Sequence, residues 1–259
     1  MDIDEMARRA RKFNSELDAV KQRVAPTEFG WYPYGTLNNF QILRSLLKGD
    51  RRNLLDLTDG QPIVDIGAAD GDTAFFMESL GCRADVVDYA PTNFNGCRGV
   101  AALKEALQSK INIRQVDLDA YFELPGERYG LAYFLGILYH LKNPFGAMEN
   151  LARFARHALV STRIARYNLA SNLPLGKDVN SIRVDLRSVP AAYLVDPYET
   201  NNDPTNYWMF SDAGLRRLFD RTGWDVLDYT TVGNTKASDP ATNAGDERAF
   251  CLLRSRHHA

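Results

Sequence analysis

Gln61-Pro62-Ile63-Val64-Asp65-Ile66-Gly67-Ala68-Ala69-Asp70-Gly71-Asp72-Thr73 is the stretch that decides the fold. Ile63, Val64 and Ile66 form the short apolar run of a strand covered on both faces. Gly67 and Gly71 mark a tight turn where the backbone lets a ligand come close. From Thr73 to Leu80 the apolar residues fall at helical spacing. Strand, glycine turn and helix, in that order, make a nucleotide-cofactor cradle.

The charge of the turn narrows the choice of ligand. A dinucleotide fingerprint reads G-x-G-x-x-G ahead of a helix N-terminus that faces a pyrophosphate. Here position 69 is Ala, and Asp65, Asp70 and Asp72 crowd the turn. Carboxylates there repel a pyrophosphate and suit a cofactor with positive charge and no phosphate. S-adenosylmethionine, with a sulfonium and an ammonium, meets that description; its demethylated product is S-adenosylhomocysteine. The Asp-x-Gly-x-x-x-Gly pattern of Asp65, Gly67 and Gly71 resembles motif I of the class I S-adenosylmethionine-dependent methyltransferases. An ordinary strand-to-helix turn of another α/β protein is the alternative.

Further strand patterns are expected at Ala84 to Val87, Ile111 to Gln115, Leu131 to Leu135, Ala158 to Thr162, Trp224 to Tyr229 and Ala249 to Leu253. Helical patterns lie between them, with Ser211 the expected N-cap of the last. This alternation predicts an α/β fold, a parallel sheet with helices on both faces. The family resemblance implies a Rossmann-like, seven-stranded, mostly parallel sheet with one antiparallel member. Residues 1–52 read as an N-terminal helical extension and aromatic lid, and 53–259 as the methyltransferase domain. An insertion after strand five, about 163–209, is too long for a simple connection and reads as a substrate cover, with packing or dimerisation as the other readings.

Composition sets broad limits. The chain has 259 residues, 45% hydrophobic and 25% charged, which suits one large globular domain with additions. A net charge of −2 gives no electrostatic argument for nucleic acid. Cys82, Cys97 and Cys251 are far apart and read as buried thiols, not a disulfide framework. The four histidines make no metal cluster, so no metal is expected. The charged residues from Met1 to Lys12 and the absence of an apolar run of about 18 residues lead to the expectation of a cytoplasmic protein with no membrane partner. A homo-oligomer is left open.

Several positions are candidates for chemistry. Asp88 ends strand two, where a carboxylate can accept both ribose hydroxyls; Tyr89 follows it at the same edge. Asp117 follows strand three, where the family places an acceptor for the adenine amino group and a backbone amide, here that of Leu118, for the ring. Capping of the next turn is the competing role for Asp117. Ala68 in the glycine turn, Leu135 and Gly136 at the end of strand four, and Tyr34 complete the expected cofactor contacts. Trp31, Tyr32, Arg163, Tyr207, Trp208 and Arg248 are the expected substrate contacts.

The run Gly136-Ile137-Leu138-Tyr139-His140, with Pro144 after it, carries a narrower resemblance, supported by Arg248-Ala249-Phe250 and Tyr207-Trp208-Met209. It is similar to the tRNA wobble-uridine 5-oxyacetic acid synthase group and its methyltransferase relatives. That group holds a carboxylated cofactor with a lysine besides the Tyr and Arg matched by Tyr139 and Arg248. The comparable segment here, Tyr34-Gly35-Thr36, has no lysine, and the group's long N-terminal region has no match. Plain methyl transfer to a small molecule, at oxygen, is therefore expected, and a tRNA-modifying enzyme is the alternative. A non-catalytic cofactor-binding subunit is a third reading. His140 is the general-base candidate, since imidazole takes a proton near neutral pH, and Tyr139 is its neighbour at the reacting centre; a structural role stays open for both.

Overall fold

The computed structural model describes residues 1–124, 128–169, 183–200, 202–236, 238–239 and 246–258. Seven strands form the central sheet: β1 (Ile63–Ile66), β2 (Ala84–Asp88), β3 (Asn112–Gln115), β4 (Tyr129–Leu135), β5 (Ala155–Arg163), β10 (Trp224–Gly233) and β11 (Glu247–Ser255). Their spatial order is β10-β11-β5-β4-β1-β2-β3. β11 is antiparallel to both its neighbours, and the pairs among β1 to β5 are parallel. This is the expected Rossmann-like α/β sheet.

The sheet is apolar on both faces because both are covered. Successive residues alternate between two cores. Ile63, Leu131, Tyr133, Phe250 and Leu252 join the first. Val64, Ala132, Phe134, Cys251 and Leu253 join the second. The first core is closed by α1 (Ile3–Val24), α2 (Asn39–Leu46), α3 (Asp72–Ser79) and α4 (Arg98–Leu107). The second is closed by α5 (Pro144–Phe154) and α6 (Asp212–Arg221).

The helices carry clear end signals, of which the Ser211 cap is the one expected. Asp2 caps α1 by accepting from Asp4 N at 2.8 Å. Asn143 caps α5 with Pro144 in its first turn, and Ser211 caps α6 by accepting from Gly214 N. Residues Asp72 to Met77 of α3 are all buried, because α1 covers the side that faces away from the sheet. Phe13 of α1 meets Phe76 of α3 at 5.7 Å, and Phe40 of α2 meets Phe76 at 5.0 Å and Tyr133 of β4 at 6.1 Å. The N-terminal helices thus share the core of the sheet.

The described part of the insertion holds two short strand pairs that its sequence does not suggest. β6 (Tyr167–Leu169) pairs with β7 (Arg183–Asp185), and β8 (Ala192–Leu194) with β9 (Trp208–Phe210), both antiparallel. Strands of three residues are too short to display an alternation. The insertion's residues 170–182 and 201 lie outside the described residues. Among the described residues no helix is long and apolar enough to cross a membrane.

Phe40 is 1% exposed and Phe13 only half-buried. Phe40→Ala is expected to cost about 3–5 kcal/mol of unfolding free energy in urea titrations, and Phe13→Ala clearly less. Equal losses would mean that α1 and α2 contribute alike to the core.

Candidate active site

The chain order of the sheet reverses between β1 and β4. In open α/β sheets the crevice outside the carboxyl ends of the strands at such a reversal is where ligands bind. Two loops rise there: the glycine turn after β1, and the turn after β4 that carries Tyr139 and His140.

The glycine turn is held by non-local contacts. Gly67 N donates to Val87 O at 2.8 Å. Gly67 has φ +66°, and a Cβ there would lie 2.4 Å from Ile137 Cγ2, so the two loops meet at this glycine. Ala68 beside it is buried. Gly71 N donates back to Ala68 O, and Gly71 precedes the first residue of α3. Asp65 Oδ2 accepts from Ala74 N at 3.2 Å in the first turn of α3. Burial pushes the Asp65 carboxyl up to about 8; the Ala74 amide opposes this, and the nearby Asp88 and Asp72 carboxylates add to it.

Asp88 does more for the protein than its sequence position implied. Oδ2 accepts from Ala69 N at 3.0 Å and Asn93 Nδ2 at 2.9 Å, and Oδ1 from Tyr89 N at 2.7 Å. Burial raises its pKa, and these donors counter that. Oδ2 therefore spends both lone pairs on the protein, whereas Oδ1 retains one. Asp117 Oδ1 accepts from Asp119 N at 3.0 Å, the turn role weighed from sequence, and Leu118 beside it is buried.

The acidic turn itself reads differently in three dimensions. Asp70 Oδ2 accepts from Tyr32 N at 2.8 Å, and Oδ1 from Asn95 Nδ2 at 2.8 Å. Gly99 lies so close that a Cβ would sit 2.0 Å from Asp70 Oδ1. Lys21 of α1 reaches Asp72 at 3.0 Å and Asp70 at 3.4 Å. Two of the three carboxylates therefore anchor the N-terminal segment, and Asp65 does not. Asp70 and Asp72 are thus paired within the protein and do not face a ligand as bare carboxylates.

At the end of β4, Leu135 and Gly136 are half-buried and Tyr139 is 6% exposed. Arg248, brought in by β11, places Nη1 3.4 Å from the Tyr139 hydroxyl and its guanidinium 5.5 Å from the Tyr139 ring. Tyr32 joins them: burial raises its pKa, the neighbouring Tyr139 and Tyr34 add to this, and Arg248 opposes it. The His140 ring lies 4.0 Å from that of Tyr139. Burial lowers the His140 pKa, Thr205 and Asp203 counter this, and Arg248 and Arg163 reinforce it. The imidazole is therefore neutral at neutral pH, the form a base requires.

The other expected substrate residues divide. Arg163 ends β5, is 2% exposed and pairs with Asp246 at 2.9 Å, so it acts on the site through its charge. Tyr207 N donates to Tyr139 O at 2.8 Å, and Trp208 Nε1 to Lys142 O at 3.4 Å, tying the insertion to the β4 turn. Trp31 turns the other way: its Nε1 donates to Lys21 O, and its ring meets Phe29 at 5.3 Å. Tyr34 is 71% exposed and stacks edge-on against Tyr32 at 5.4 Å. Between α1 and residues 26–35 a cleft of about 740 Å³ opens, bordered by Lys21, Trp31 and Tyr32. Its described lining includes no residue of β4 or of the turn after it.

Sequence reading passed over Lys21, Asn93, Asn95, Asp203 and Thr205. Asn93-x-Asn95 just before α4 was the available signal, since short amides at a helix entry fix turns. Lys21 gave none, because its partners are remote in sequence.

The family described as a methyltransferase domain matches residues 40–229. Solved structures share the fold. The N-terminal domain of EvdMO1, crystallised in the presence of SAH and D-fucose, is 17% identical, covers 99% of this chain and 98% of its own, and has a TM-score of 0.52. The MccD protein is 10% identical, with coverage of 75% and 90% and a TM-score of 0.54. TehB from Haemophilus influenzae is 15% identical, with coverage of 81% and 62% and a TM-score of 0.51. At these identities the likeness is one of fold. No curated protein sequence matches the chain.

Asp70→Ala should release the backbone of Gly30 to Tyr32. Hydrogen exchange at the Tyr32 amide is expected to accelerate while the β1 amides stay protected. Unchanged exchange at Tyr32 would show that the aromatic segment is held elsewhere.

Proposed function

The chain belongs to the methyltransferase-domain family, and from that footing we propose that it moves the methyl group of S-adenosylmethionine to a hydroxyl oxygen of a small molecule. The observation that carries this reading is the meeting of a neutral, half-buried His140 with Tyr139, Arg248 and Tyr32 at the end of β4, beside the Gly67 turn. When bound, the cofactor supplies an electrophilic methyl on a sulfonium. Asp65 offers its buried carboxyl to the cofactor's ammonium, and Asp88 Oδ1 accepts from one ribose hydroxyl. Gly67, Ala68, Gly71, Tyr89, Asp117, Leu118, Leu135 and Gly136 form the rest of the cradle. His140 takes the proton of the attacking hydroxyl, while Tyr139, Tyr32 and Arg248 orient the acceptor.

A sugar-sized acceptor agrees with the D-fucose present with the EvdMO1 domain. Residues 26–35, pinned through Asp70 and Asn95, act as the cover of the site, and Trp208 and Tyr207 brace the β4 turn from the insertion. A second reading has one specific support: Tyr139 and Arg248, the pair shared with the wobble-uridine synthase group, stand 3.4 Å apart. Incubation with labelled cofactor and bulk tRNA separates the two. Stoichiometric label in the RNA promotes the second reading.

Calorimetry should show binding of S-adenosylmethionine and S-adenosylhomocysteine and none of NAD; the reverse would overturn the family-based mechanism. His140→Ala should lower the rate of S-adenosylhomocysteine formation with an active hydroxyl acceptor by about 10²–10⁴-fold, with cofactor affinity nearly unchanged. A smaller loss would reduce His140 to a positioning group.

Asp65 gives a pH dependence of known sign. Its carboxyl, at about 8 in the cofactor-free protein, is mostly protonated at neutral pH. A cationic ligand favours the carboxylate, so binding expels a proton and tightens as pH rises from about 6 to about 7.5. Asp65→Asn should flatten that slope. A slope of the same size in the variant would assign the proton to another group.

A further inference from the structure

His140 ends the short turn Leu138–His140, and its ring is met by a loop of the insertion. Its Nδ1 lies 2.9 Å from the carbonyl oxygen of Thr205 and 3.0 Å from the Thr205 hydroxyl oxygen. The carbonyl can only accept. The hydroxyl has a single proton, and it is committed elsewhere: Thr205 Oγ1 donates to Asp203 Oδ1 at 2.6 Å. Both oxygens at Nδ1 are therefore acceptors, and the hydrogen must sit on Nδ1. Nε2 is left with the lone pair.

The loop that does this is built to hold its shape. Thr205 N also donates to Asp203 Oδ1, at 2.9 Å. Asn206 is 2% exposed and its Nδ2 donates to Thr200 O, while Asp203 N donates to the same carbonyl. Tyr207 N ties the loop to Tyr139 O, one residue from the imidazole.

We propose that Asp203 and Thr205 are positioning residues for His140: Asp203 orients the Thr205 hydroxyl, and Thr205 fixes the imidazole as the Nδ1–H tautomer, so that Nε2 is the atom that takes the acceptor's proton. This rests on His140 acting as the base. The tautomer assignment itself does not, and it can be tested alone. The charged groups that act on the ring are Asp203 from the insertion, Arg163 from β5 and Arg248 from β11. Asp203 is held below the usual carboxylate range: burial pushes it up, but the Thr205 hydroxyl and amide, with His140 and Arg163, outweigh that.

The test is a long-range ¹H–¹⁵N correlation experiment on ¹⁵N-labelled protein through a pH titration, with His140 assigned by its loss in His140→Gln. The wild type should show Nδ1 protonated and Nε2 bare. In Asp203→Ala the Thr205 hydroxyl is free to donate to Nδ1, so the tautomer ratio should reverse and the titration midpoint should move to lower pH. Adding Thr205→Val removes that competing donor and leaves the carbonyl, so the Nδ1–H form should return. An Nε2–H tautomer in the wild type, or a ratio and midpoint untouched by Asp203→Ala, overturns the proposal. Spectra as expected, together with full turnover in His140→Ala, would instead overturn the base and leave the tautomer assignment standing.

Discussion

The reversal of strand order between β1 and β4 is the constraint from which the rest of the site follows. Connections on either side of it run to opposite faces of the sheet, so no helix covers the carboxyl ends of these two strands. Gly67 and Ile137 close the floor of the crevice because no side chain fits between them. Everything else is brought to its rim from a distance: Arg248 by the last strand, Tyr32 by the segment before α2, Thr205 by the insertion. The sheet supplies the edge, and the loops and the last strand bring these side chains to it.

Burying four carboxylates around one turn is costly unless each is satisfied. Asp65, Asp70, Asp72 and Asp88 are all at most 9% exposed. They are managed in different ways. Asp70 is held by a backbone amide and an asparagine, Asp72 by a lysine, and Asp88 by two amides and an asparagine. Burial pushes Asp72 and Asp88 upward too, but Lys21 opposes it at Asp72 and the amide donors oppose it at Asp88, whereas Asp65 has only the Ala74 amide and is pushed up to about 8. Of the four, Asp65 is thus the carboxyl with a single backbone amide as its donor.

Local features were legible in the sequence. The strand-turn-helix at Ile63 to Met77, the cap at Ser211 and the helix opened by Pro144 are short-range patterns, and each is where its residues imply. The spacing of Met6, Phe13, Leu17 and Val20 implies only an amphipathic surface helix, whereas Met6 and Leu17 are buried in the first core. What escaped was non-local. The carboxylates of Asp70 and Asp72 looked like ligand groups because Lys21 and Tyr32 cannot be paired with them from sequence alone. Trp31 and Tyr32 are adjacent, yet one faces α1 and the other the β4 turn, since extended backbone sends neighbours to opposite sides. Thr205 carried no signal, being an ordinary threonine until its hydroxyl meets His140.

The position of β11 has a consequence for how the protein is made. It inserts between β5 and β10, pairing Arg248 with Arg163 on one side and Val232 on the other. β5 cannot complete its outer ladder until this strand arrives, through contacts distant in sequence, whereas β10 pairs with it locally and stays at the edge of the sheet. The same strand delivers Arg248 to the crevice. A nascent chain that already has its cofactor turn therefore still lacks the cation beside Tyr139. Pairing of β11 with β5 and the arrival of Arg248 beside Tyr139 are thus the same structural step.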